Sequence, residues 1–64
     1  MMPSPNPWDY RLERRCESGW LLIEFGEQRE ISTAYRAVTQ QLELIKVVFR
    51  IVRPDGTVEV ETAG

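Results

Sequence analysis

The hydrophobic and polar positions begin to alternate at Trp8. Trp8, Tyr10 and Leu12 interleave with Asp9, Arg11 and Glu13. A period of two with aromatics predicts a half-buried strand. Cys16-Glu17-Ser18-Gly19 reads as a turn, with Gly19 able to take positive φ. Trp20 to Phe25 then reads as a second strand. Leu21, Ile23 and Phe25 fall on one side of it, and Trp20, Leu22 and Glu24 on the other. This strand is therefore apolar on both faces over its first half.

After Gly26 the period changes. Ile31, Ala34, Tyr35, Val38, Leu42 and Ile45 recur at spacings of three and four, with Ala37 widening the stripe. The pattern predicts an amphipathic helix that starts between Glu27 and Glu30 and meets the next strand near 44–46. Val47 to Arg53 is β-branched and aromatic, a third strand with Val47, Phe49 and Ile51 on one face and Val48, Arg50 and Val52 on the other. Arg53-Pro54-Asp55-Gly56-Thr57 is a strong turn, and Val58 and Val60 alternate with Glu59 and Glu61 in a short fourth strand.

The predicted fold is α+β: a four-stranded antiparallel or mixed sheet, β-β-α-β-β in spatial order 2-1-3-4, with one helix packed on one face. Residues 1–7, with prolines at 3, 5 and 7, read as a flexible Pro-rich tail, and residues 8–62 as a single domain. The expected core takes Trp8 or Tyr10 together with Leu12, Leu21, Ile23, Phe25, Ile31, Ala34, Val38, Leu42, Ile45, Phe49, Ile51, and Val58 or Val60. The opposite face is then left with Trp20, Leu22, Val48 and Val52, bordered by Arg11 and Arg50. One helix cannot cover two faces, so these six residues form the candidate contact surface.

Composition narrows the chemistry. At 64 residues the chain is short for a comfortable core. Cys16 is the single cysteine and there is no histidine, so neither an intrachain disulfide nor a usual zinc site can staple it. Good packing or self-association is the remaining aid. The absence of histidine also removes the commonest acid–base catalyst near neutral pH. Cys16 has no evident base beside it, and the four glycines are too scattered for a phosphate-binding loop. No catalytic, cofactor or metal residues are therefore assigned, and the chain is read as a non-enzyme. No apolar run is long enough to span a bilayer, and the N-terminus does not read as a signal peptide. A cytoplasmic location without a membrane partner follows as the expectation.

Seven arginines and one lysine stand against ten acidic residues, a net charge of −2. That balance argues against nucleic acid as partner. The resulting expectation is a small protein-binding module, homodimeric, acting by contact with or inhibition of a partner protein. In size and architecture alone it resembles small phage and mobile-element proteins that occlude a host protein. The alternative is a single-stranded nucleic-acid binder using the open sheet face, where Trp20 would stack bases and Arg11 and Arg50 would meet phosphates.

Overall fold

A computed structural model describes residues 4–41 and 47–62. The elements are β1 (Tyr10–Cys16), β2 (Gly19–Gly26), α1 (Gln28–Gln41), β3 (Phe49–Val52) and β4 (Val58–Glu61). They form one sheet in the order β2-β1-β3-β4, and every neighbouring pair is antiparallel. The fold is α+β, with the helix across β1, β3 and β2. Among the described residues no helix is long and apolar enough to cross a membrane.

The helix forms because Ile31, Ala34, Tyr35 and Val38 share one stripe. Ile31 is fully buried, and the other three pack against the cluster it forms with Leu12, Phe49 and Ile51. The first intrahelical bond runs from Ile31 N–H to the Glu27 carbonyl, 3.0 Å. Glu30 sits in the first turn, where the positive end of the helix dipole favours a carboxylate. Ala37 is exposed and so stands outside the apolar stripe. Leu42 and Ile45, expected to extend the stripe, lie outside the described residues. Burial raises the Tyr35 hydroxyl above the usual tyrosine range, and the nearby Glu61 carboxylate adds to the shift.

The core is narrower than the sequence pattern suggests. Tyr10 packs against it, whereas Trp8 is exposed. Leu21 and Ile23 are exposed as well, and Phe25 is not part of the cluster. The cause is a β-bulge in β2. Glu13 pairs with Leu22 and Leu12 with Glu24, which leaves Ile23 as the extra residue. Beyond the bulge the parity is reversed. Phe25 opposes Arg11, so it belongs to the face away from the helix. Leu21 keeps the helix side, but it stands on the edge strand beside the exposed Arg14.

A second register shift, between Ile51 and Val52, separates Val60 from Val58 in the same way. Val60 opposes Ile51 and Val58 opposes Val52, and both are exposed on an edge strand that the helix does not cover. Neither valine therefore joins the core.

The β3–β4 loop is closed by hydrogen bonds from Gly56 N–H to the Arg53 carbonyl, 2.9 Å, and from Arg53 N–H to the Thr57 carbonyl, 2.8 Å. Asp55 Oδ1 accepts from the Thr57 hydroxyl at 2.6 Å and from the Thr57 amide at 2.9 Å. These bonds, the hydroxyl first, hold the Asp55 carboxyl below its usual range. Gly56 has φ +91°, a region a β-branched residue enters only under strain. Gly56→Val is expected to cost about 1–2 kcal/mol, measured by urea unfolding. An unchanged midpoint would mean that this turn does not set the β3–β4 register.

Candidate functional site

The face away from the helix is built from the outward positions of β1, β2 and β3. On β1 these are Arg11, Glu13 and Arg15. The pairings Glu13 with Leu22, Glu13 with Arg50 and Arg15 with Trp20 bring three strands into one patch. At its centre the Arg50 Nε–H donates to Glu13 Oε1 at 2.7 Å. The same guanidinium lies over the Trp20 ring, 3.8 Å from its centroid. Glu13 is buried although charged, and the paired guanidinium is what makes that burial tolerable. The result is a Trp20–Arg50–Glu13 stack that crosses the sheet from β2 to β3 through β1.

The six residues singled out in the sequence divide into three groups. Trp20, Leu22 and Arg50 meet at this stack. Arg11 and Val52 form a separate row with Phe25. Val52 is only 3% exposed, so the chain itself already covers it. Pro5, Asn6, Pro7 and Asp9 wall a shallow depression beside Arg11 and Pro54 at that end. Asn6 and Asp9 close a turn there through Asp9 N–H to the Asn6 carbonyl, 3.0 Å, and Asn6 N–H to Asp9 Oδ2, 2.9 Å. Val48 precedes β3 and is half-buried, and its carbonyl accepts from Arg15 N–H at 2.9 Å. With Arg14, Arg15, Cys16, Glu17 and Val47 it lines a second shallow depression.

The sequence pattern alone missed three members of the open face, Glu13, Arg15 and Phe25. Glu13 and Arg15 could have been found, because they alternate with Arg11 and must share its face. Phe25 could not, because nothing in Leu-Leu-Ile-Glu-Phe marks a bulge. The exposed aliphatic residues now concentrate on β2, where Leu21, Leu22 and Ile23 are 52%, 38% and 43% exposed. Leu21 stands on the helix side and Leu22 on the open side. Comparison with known protein families, curated proteins and solved structures gives no match.

Cys16 is exposed, and its Sγ lies 3.6 Å from the Ser18 hydroxyl. Among the described residues no three of His, Cys, Asp and Glu gather closely enough to hold a metal ion.

Proposed function

We propose that this chain is a non-enzymatic, homodimeric protein-binding module that acts by contact with a partner protein, blocking or redirecting it. The observation that carries the reading is the run Leu21-Leu22-Ile23, three consecutive apolar side chains exposed on one strand. Beside it, Trp20 and Arg50 offer the aromatic and guanidinium groups that protein interfaces favour. The stack is already satisfied internally, so it presents a preformed shape at small ordering cost.

The nucleic-acid alternative has less support. Arg50 is paired with Glu13 and covers one face of Trp20, so both groups are already engaged within the chain. The net charge of −2 adds no attraction for a polyanion.

Immobilised chain exposed to a lysate of its source cells tests this reading. The expected result is a discrete polypeptide that survives nuclease treatment and is lost with Leu22→Glu, whose side chain lies at the surface. Capture that disappears with nuclease, or that weakens steeply with salt, would favour the nucleic-acid reading instead.

A further inference from the structure

The sheet has two edges, and they are built differently. β4 is four residues long and carries Glu59 and Glu61, charges of the kind that keep an edge from pairing. Glu59 also accepts a hydrogen bond from Gln28 Nε2 at 2.9 Å, which ties this edge to the helix. β2 is eight residues long, and its segment from Gly19 to Ile23 has no charged residue. Among the described residues β2 is bonded within the sheet to β1 alone, so its outer backbone groups lack a strand partner there. Its side chains are apolar on both faces at once, Leu21 toward the helix side and Trp20 and Leu22 toward the open side. A partner lying on one face would leave the other wet, whereas a strand added at the edge covers both.

We propose that β2 pairs antiparallel with β2 of a second copy, about a two-fold axis normal to the sheet. Residues directly opposite in an antiparallel pair share a face, so the register must join positions of equal parity. Centring on Leu21 sets Leu21 against Leu21 of the second copy on the helix side, and Trp20 against Leu22 of the second copy on the open side. Every one of these pairs is uncharged, and aromatic–aliphatic pairs of this kind stabilise sheets. The bulge at Ile23 ends the pairing on one side, and the Cys16–Gly19 turn ends it on the other. A two-fold uses both β2 edges and leaves outside the short β4 edges, where Glu59 and Glu61 interrupt the exposed Val58 and Val60, so assembly stops at two copies. The product is an eight-stranded sheet in which two Trp20–Arg50–Glu13 stacks share one open face. This geometry gives structural form to the dimer named in the proposed function.

The test uses the full chain at micromolar concentration. Sedimentation velocity is expected to give a dimer for the parent and a monomer for Leu21→Lys, with unchanged far-ultraviolet circular dichroism. Cross-linking fixes the register. In a Cys16→Ser background, Leu21→Cys places its Cα opposite its mate at about 4.5–5.5 Å, within disulfide range. Leu22→Cys would lie about 8 Å from its mate, too far to bridge without backbone movement. Oxidation is expected to link Leu21→Cys at least about tenfold faster than Leu22→Cys. A monomeric parent overturns the proposal, as does cross-linking that is equal at the two positions. A monomer that still captures a partner removes the edge pairing and leaves the binding module. A dimer that captures nothing removes the partner and leaves the edge pairing.

Discussion

Leu12→Ala is expected to lower the melting temperature by about 10 °C or more. Leu12 is fully buried, together with Ile31, in a cluster that also holds Phe49 and Ile51. Removing a buried leucine side chain costs about 2–5 kcal/mol, part of it for the cavity left behind. A chain of this length has a total stability on the order of 3–10 kcal/mol, so the loss is a large share of the whole. Leu12 joins the helix to the two central strands, and among the described residues few others are buried that could relax around it. Val60→Ala on the β4 edge is the control, expected to cost less than about 1 kcal/mol because the site is already solvated. Thermal unfolding followed by circular dichroism decides between them. Equal melting temperatures would mean that the core is centred elsewhere.

Glu13→Met is expected to cost about 1.5–3 kcal/mol, an unusual amount for a carboxylate on a sheet face. The Glu13 and Arg50 side chains are 11% and 24% exposed, so deleting one leaves the other charge poorly solvated. Arg50→Met should cost a similar amount, since it also removes the stacking on Trp20. The double variant Glu13→Met with Arg50→Met should be less destabilised than the sum of its parts, by at least about 1 kcal/mol. The Arg53–Glu59 pair, at 3.6 Å and more exposed, should show a coupling under about 0.5 kcal/mol that fades with salt. Urea unfolding of the two mutant cycles checks both statements. Additive effects at Glu13 and Arg50 would mean that the stack contributes nothing to holding the sheet.

The helix and hairpin turns were legible in the sequence because each rests on a local signal, and the strand order followed from a helix that returns the chain parallel to β2 with β1 between the two strands. The Tyr10–Leu12 alternation, the Ile31–Val38 stripe and the Pro-Asp-Gly turn need only nearby residues to be read. Placement of the helix over the central strands, with Leu12, Phe49 and Ile51 beneath it, followed from the same periodicity. The errors begin at the two register shifts. A bulge is decided by how two strands fit one another, and it reverses every later side chain on the bulged strand. Phe25 was thus expected in the core and lies on the open face, and Val58 and Val60 part company. Trp20, Leu22 and Arg50 lie on the open face, as the alternation along their strands implies. Its centre was expected to be bare and apolar. Glu13 closes it instead, and the exposed aliphatic surface shifts outward to the β2 edge.

Amide hydrogen exchange, read strand by strand at a low and a high protein concentration, tests the β2 contact most directly. Pairing of two β2 strands predicts that the Trp20–Leu22 segment becomes more protected as concentration rises, while the β4 amides exchange at the same rate throughout. Exchange of β2 that is independent of concentration, or protection that grows along β4 instead, would contradict it.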